Sequence, residues 1–143
     1  MLRYRVLAHT ADIGIAAAGA TQEEAFENAA FAMFDLMFDL SGVEVSSGAQ
    51  PPDECRVEAE ADTPEELLVA WLSLLLAEAE IRGLALCRFR VEDLGGGRVA
   101  GTAGGVPSEG MVLRGPPIKA VTYHEAAVVE TPTGWEARVI FDV

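Results

Sequence analysis

The stretch CRVEAEADTPEELLVAWLSLLLAEAEIRG, residues 55–83, indicates the fold class because its hydrophobic period changes in the middle. Apolar and charged residues alternate over 55–62, which predicts a strand with one buried face. Thr63 can cap a helix, and a proline follows it at the first helical position. Apolar residues then recur at helical spacing up to Gly83, where the helix should end. A strand that leads directly into an amphipathic helix indicates a mixed α and β fold.

The same helix-start signal occurs earlier in the chain. Thr21 is followed three residues later by Glu24, which is the spacing of a capping box. Apolar residues continue at helical spacing, while Glu27 and Asp35 mark the side that we expect to face water. The pattern therefore predicts a helix from about Thr21 to Leu40.

The remaining segments predict strands. Two short extended stretches precede the first helix, and the chain after Gly83 shows strand patterns with turns at 95–97 and 132–134. We expect residues 104–117 to form a loop, because glycine and proline are frequent there. The order is β-β-α-β-α-β-β-β-β. It predicts one α+β domain over residues 1–143, a two-layer sandwich in which two amphipathic helices pack on one face of a mostly antiparallel sheet.

The charge is strongly negative. The chain has 143 residues, half of them apolar, and a formal net charge of −13. Residues 1–80 hold 16 acidic and 3 basic side chains, so this part carries the whole excess. Such a surface repels phosphate backbones, which argues against tight direct binding of nucleic acid. A basic protein partner or a cation remains compatible with it.

The cysteines and the apolar segments indicate a cytoplasmic protein. Cys55 and Cys87 lie in strand-like alternation, so we expect buried free thiols, as in a reducing compartment. The first residues lack the long apolar stretch of a signal peptide. The longest apolar segment, residues 67–77, is shorter than the roughly 20 residues that a membrane-spanning helix needs.

Common catalytic motifs are absent from the sequence. It has no P-loop motif and no GxSxG nucleophile elbow. Its two histidines and two cysteines do not have the spacing of a zinc site. These motifs therefore identify no catalytic residue. Two enzymatic alternatives stay open at this point, a cysteine nucleophile paired with a histidine and a metal-dependent hydrolase that uses Asp12.

Carboxylates at two places in the chain suggest a cation site. Asp12 lies in the segment His9-Thr10-Ala11-Asp12, where a strand pattern breaks, and Asp142 precedes the terminal carboxylate of Val143. If the last strand pairs near Asp12, three carboxylates converge, and calcium, magnesium and manganese all prefer such oxygen ligands. Asp12 can equally mark a turn by bonding its own backbone.

A third unusual segment is Lys119-Ala120-Val121-Thr122-Tyr123-His124. It holds the only lysine and one of the two histidines within a predicted strand. In a regular strand Lys119 and Tyr123 share one face, and His124 lies on the other. A surface lysine beside a hydrogen-bonded sheet histidine is the simpler interpretation.

These segments together resemble the archease family. The resemblance covers nearly the whole chain and rests on HTADIGI, TQEEAFENAA, FDLM, DTPEELLVAWLSLLL, IKAVTYHEAAV and IFDV, which begin at residues 9, 21, 34, 62, 118 and 140. It implies a small cytosolic α+β protein that is not itself an enzyme. Archeases assist the RtcB-type RNA ligase of tRNA splicing and RNA repair, which uses GTP and manganese to guanylylate its own histidine.

The resemblance also implies site residues. The family carries a divalent cation, assigned as calcium, and by position its ligands would be Asp12, Asp142 and Val143; manganese and magnesium are alternatives. We expect the side chains His9, Lys119, Tyr123 and His124 to lie near that site and to act in docking on the ligase. An alternative function for the family is a chaperone-like modulator of a tRNA cytosine methyltransferase.

Overall fold

The order of helices and strands is the one that the sequence predicts. The structure, a computed structural model, describes residues 2–7, 12–41 and 54–143. The elements in these ranges are β1 (Tyr4–Leu7), β2 (Ile13–Gly19), α1 (Gln22–Met37), β3 (Glu54–Glu60), α2 (Pro64–Arg82), β4 (Leu84–Gly95), β5 (Arg98–Pro107), β6 (Ala120–Thr131) and β7 (Gly134–Asp142).

Both helices begin where the capping signals predict. The Thr21 hydroxyl accepts a hydrogen bond from the Glu24 amide, and Thr63 accepts one from Glu66, each at 3.1 Å. Gly83 ends α2 in the left-handed conformation with φ 66°. Helix α1 ends at Met37, three residues before the predicted Leu40, because Phe38 is extended and forms a bridge with Leu113.

The strands form two antiparallel sheets. One sheet has four strands in the order β1-β2-β7-β6, and the other has three in the order β3-β5-β4. The predicted α+β class with mostly antiparallel strands is confirmed. The division into two sheets was not foreseen, and it changes the surroundings of the helices because each helix contacts strands of both sheets.

The core lies where the helices meet each other and the sheets. The Trp71 side chain in α2 is fully buried, and its indole Nε1 donates a hydrogen bond to the Phe26 carbonyl of α1 at 3.1 Å. Gly101 of β5 makes room for this ring, since a Cβ there would lie 2.9 Å from the Trp71 side chain. One aromatic residue thus joins both helices and the three-stranded sheet.

The expected water-facing side of α1 is partly covered. The Glu27 carboxylate accepts a hydrogen bond from the Val91 amide of β4 at 2.8 Å, and Asp35 accepts one from the Tyr4 hydroxyl at 2.7 Å. Both carboxylates are only partly exposed. The prediction of an exposed face failed at these positions because strands from both sheets cover the helix.

The predicted loop over residues 104–117 begins too early. Strand β5 continues to Pro107 and includes Gly104 and Gly105. A Cβ at Gly105 would collide with the Ala85 carbonyl oxygen of β4, so this glycine permits close approach of two strands rather than a turn.

The structure also bears on the cysteines and on membrane insertion. Cys55 and Cys87 are free and buried, as predicted, and burial raises the pKa of both thiols. Of the helices in the described ranges, none is long and apolar enough to cross a membrane.

Candidate functional site

The carboxylates predicted to hold a cation lie at one end of the four-stranded sheet. Strands β2 and β7 pair so that Ile13 lies opposite Phe141. Asp12 directly precedes β2 and Asp142 ends β7, so each lies one residue beyond this pair at the same end of neighbouring strands. Strand alternation buries Phe141 completely and leaves Asp142 exposed. The hydrophobic pattern of β7 therefore fixes a carboxylate at the sheet end, as the sequence argument required.

These two carboxylates have no partner in the described part of the chain. Neither Asp12 nor Asp142 forms a side-chain hydrogen bond or an ion pair with any residue in 2–7, 12–41 or 54–143. The same ranges contain no cluster of three His, Cys, Asp or Glu side chains that could hold a metal. The ligand set expected from the sequence, Asp12, Asp142 and the terminal carboxylate of Val143, stays a prediction. This all-oxygen donor set suits a hard cation such as calcium.

Lys119 lies next to this end of the sheet through its backbone. Its amide donates a hydrogen bond to the Asp142 carbonyl at 2.7 Å, and Ala120 pairs with Asp142. Lys119 also lines a groove of about 540 Å³ between the ends of α1 and α2, with Met37 and Gly83 among its walls. The lysine therefore connects the candidate cation site with the groove.

Arg114 helps to position the segment that precedes Lys119, a role that no sequence pattern indicated. The guanidinium lies 3.6 Å from both Asp35 and Asp39, and the Arg114 amide donates to the Met37 carbonyl at 2.9 Å. Burial, reinforced by the hydrogen bond to Asp35, raises the pKa of Tyr4 to about 12. This neighbouring hydroxyl consequently stays protonated and continues to donate at neutral pH.

A large irregular bulge interrupts β6 within the segment 119–124 that the sequence singled out. Thr122 pairs with Ile140, and the next pair is Ala127 with Arg138, so residues 123–126 oppose the single residue 139. Within the bulge Glu125 has a left-handed φ of 58°. Bulges of this kind redirect side chains and often lie beside functional sites.

The bulge separates Tyr123 from Lys119. Tyr123 is 58% exposed and lines a shallow depression with Glu66 and Ala70 of α2, whereas Lys119 lines the groove at the other end of that helix. The His124 side chain is 74% exposed, and its Nε2 lies 3.9 Å from a Glu125 carboxylate oxygen. Lys119, Tyr123 and His124 therefore do not form one cluster but lie at separate places along β6 and the residue before it. His9, the fourth predicted docking residue, lies outside the described residues.

Comparison with known proteins gives a consistent result. The archease protein family matches residues 4–143. The archease of Methanosarcina barkeri is 35% identical over 147 residues, with 99% of this chain and 96% of the relative covered. The solution structure of Methanobacterium thermoautotrophicum protein 1598 superposes with a TM-score of 0.81 at 34% identity and covers 99% of both chains.

A more distant structure shares the fold. The crystal structure of an archease from Thermotoga maritima, described as a possible chaperone, superposes with a TM-score of 0.59 at 21% identity. The superposition covers 96% of this chain and 94% of the Thermotoga chain. The two-sheet architecture is thus the same across widely diverged sequences.

Proposed function

Because this chain belongs to the archease family, we propose that it is a non-enzymatic activator of an RtcB-type RNA ligase. In this proposal it promotes guanylylation of the ligase and repeated turnover in tRNA splicing and RNA repair. One observation carries the proposal. The carboxylates of Asp12 and Asp142 lie at the same end of two neighbouring strands, and neither has a partner among the described residues.

The proposed cation ligands are Asp12, Asp142 and the terminal carboxylate of Val143. Calcium takes six to eight oxygen ligands, so these three groups leave part of its shell to waters, backbone carbonyls or groups of the partner. A bound divalent cation would supply positive charge where phosphate charge develops during nucleotide transfer. The three carboxylates would hold the cation at an accessible sheet end, where a partner can reach it.

The proposed contact surface runs along β6. Lys119 adjoins the sheet end, and the bulge presents Tyr123 and His124 to solvent. The net charge of −13 favours association with the basic RNA-binding cleft of a ligase through complementary electrostatics. We include His9 in this surface because it belongs to the same sequence motif, HTADIGI, as the proposed ligand Asp12.

The first test measures activation. Labelled GTP reports guanylylation of the cognate ligase with and without substoichiometric amounts of this protein. Wild type should raise the rate, and Asp12→Ala and Asp142→Ala should each lose most of that effect. Glu109→Ala removes one negative charge from an exposed turn and should stimulate as wild type does. Stimulation by the aspartate variants at the wild-type level would contradict the proposed role of the carboxylates.

The second test measures the cation directly. Calorimetric titration with calcium should give saturable binding to wild type and none to Asp12→Ala, while circular dichroism confirms that the variant is folded. A Gly-Ser extension after Val143 moves the terminal carboxylate and should weaken binding. Unchanged calcium affinity in both proteins would overturn the ligand assignment.

A second candidate function is a chaperone-like modulator of a tRNA cytosine methyltransferase. The description of the Thermotoga relative as a possible chaperone favours a helper role of this kind. A pull-down with the purified chain separates the two candidates. Capture of the ligase supports the first proposal, and capture of the methyltransferase without the ligase supports the second.

A further inference from the structure

Most of the basic side chains have a hydrogen-bond or ion-pair partner in the described part of the chain, and the exceptions are Arg88, Arg90 and Lys119. The chain has ten basic side chains, nine of which are arginines. Arg3 donates to the Asn28 side chain and lies over the Phe31 ring. Six other arginines form ion pairs with carboxylates: Arg5, Arg56, Arg82, Arg98, Arg114 and Arg138. Arg88 and Arg90 form none with any described residue, although the protein has 23 acidic residues.

Strand β4 places these two arginines on the same face. Arg88 pairs with Gly104 and Arg90 with Thr102, while Phe89 between them packs against the core. Register shifts between 86 and 88 and between 91 and 93 flank this short regular segment. The two arginine side chains therefore leave the same, outer face of the three-stranded sheet.

A depression of about 330 Å³ lies between them, and Thr102 and Gly104 are among its walls. A Cβ at position 104 would lie 3.0 Å from Cζ of Arg88 and would collide with its terminal nitrogen. The guanidinium consequently lies flat over the glycine, against the sheet. Gly104 thus determines where this positive charge is held.

We infer that this depression binds a single phosphoryl group. Guanidinium groups form paired hydrogen bonds with phosphate oxygens, and two of them balance the charge of one phosphate dianion. The Thr102 hydroxyl adds a further donor. Glu54 and Glu92 border the same depression. The ion pair with Arg56 offsets the charge of Glu92. The net charge of −13 repels a polyanion, so an isolated phosphoryl group fits the site better than a continuous nucleic-acid backbone.

Two sources provide such a group, a mononucleotide and the phosphorylated end of an RNA. NMR titration of the isolated protein at low salt, with inorganic phosphate, a 5′-mononucleotide and a short RNA as probes, separates them. Saturable shifts of Arg88 and Arg90 with the mononucleotide support a nucleotide site. Shifts that require the 5′-phosphate of the RNA support an RNA end. Absence of saturation with every probe, or equal binding of unphosphorylated RNA, overturns the inference.

Matched variants test the geometry. Arg88→Gln and Arg90→Gln should each weaken binding about tenfold, since each removes charged hydrogen bonds. Arg5→Gln removes a charge from the other sheet, where that arginine pairs with Glu136, and should change affinity less than about twofold. An equal loss in all three would indicate general electrostatics and contradict the site.

Gly104→Ala gives a sharper test because it keeps every charge and moves only the Arg88 guanidinium. The flexible side chain can shift, so the fold should persist, and phosphate affinity should fall several-fold. Unchanged affinity would contradict the positioning of Arg88 by Gly104. The whole test uses the isolated protein, so its failure leaves the proposed ligase function unaffected.

Discussion

The two helices begin with the same sequence signal and end in different surroundings. Helix α1 is covered to the extent that the polar residue Asn28 is only 8% exposed. The side-chain oxygen of Asn28 accepts a hydrogen bond from the Arg3 guanidinium, and its side-chain nitrogen donates one to the Ala18 carbonyl. Helix α2 keeps Ser73, Leu74 and Ala77 in contact with solvent. The difference teaches that a capping signal specifies where a helix starts, whereas the sheets determine which of its faces meets water.

The helices nevertheless share one kind of contact, a glutamate that accepts a hydrogen bond from a strand amide. Glu27 of α1 accepts a hydrogen bond from the Val91 amide at 2.8 Å, and Glu65 of α2 accepts one from the Val128 amide at 3.0 Å. Both amides belong to edge strands and lie beside a register shift. Each helix therefore satisfies a backbone donor at an open sheet edge, where no further strand of the described chain accepts from it.

The largest expected effect concerns the contact between the helices. Trp71→Ala removes a fully buried ring and its hydrogen bond to the Phe26 carbonyl. Such truncations leave a cavity and cost about 3–5 kcal/mol. The free energy of unfolding from urea denaturation should fall by this amount.

Leu74→Ala is the matched control on the exposed side of the same helix. Leu74 is 37% exposed, so the loss of stability should be less than about 1 kcal/mol. Similar losses for both variants would contradict the distinction between a covered and an open side of α2.

A smaller effect is expected at the caps. Thr21→Ala and Thr63→Ala each remove the hydroxyl that accepts the first-turn amide, and each should cost about 1 kcal/mol. Because each hydroxyl accepts from the amide three residues later at 3.1 Å, the two losses should be similar despite the different burial of the helices. The further bond from the Thr63 hydroxyl to the Glu66 carboxylate is exposed and should add little. A much larger loss at Thr21 would show that the surroundings of α1 amplify a local signal, and urea denaturation measures both.

Local signals in the sequence accounted for most of the fold. The capping residues and Gly83 gave correct helix starts and one correct end because they act within a few residues. Glu27 and Asp35 were assigned to water because single-sequence periodicity cannot show that a second sheet covers a helix. Gly104 and Gly105 were assigned to a loop because close strand approach and turn formation both require glycine.

The candidate site was predictable only in part. The sequence argument brought Asp12 and Asp142 together only on the condition that the last strand pairs near Asp12. Hydrophobic alternation does not specify strand order, and the pairing of β2 with β7 that meets this condition comes from the structure. The separation of Tyr123 from Lys119 could not be foreseen, because residues 123–126 continue the strand pattern while the structure makes them a bulge. The lack of ion pairs at Arg88 and Arg90 within the described ranges was equally invisible, since pairing depends on neighbours from other strands.

The smallest expected effect tests the hydrogen bond from Val91 to Glu27. Burial raises the pKa of Glu27 above its ordinary value of 4.5, although the bond from the Val91 amide opposes the shift. At low pH the carboxyl is protonated in both folded and unfolded chains. As the pH rises through the window from the ordinary value to the raised one, the unfolded chain releases its proton first. Wild-type stability therefore declines across this window.

Glu27→Gln should remove that decline, because the amide oxygen still accepts from Val91 and carries no proton to lose. Urea denaturation at a series of pH values should give equal stabilities below the window and a more stable variant above it. The gain should be smaller than the loss at either cap, since the site is partly exposed. Glu80→Gln removes the same charge from an exposed position of α2 and serves as the control, whereas Glu23 is unsuitable because its charge contributes to the raised pKa of Glu27. An equal gain in both variants would assign the effect to net charge and contradict the role of burial at Glu27.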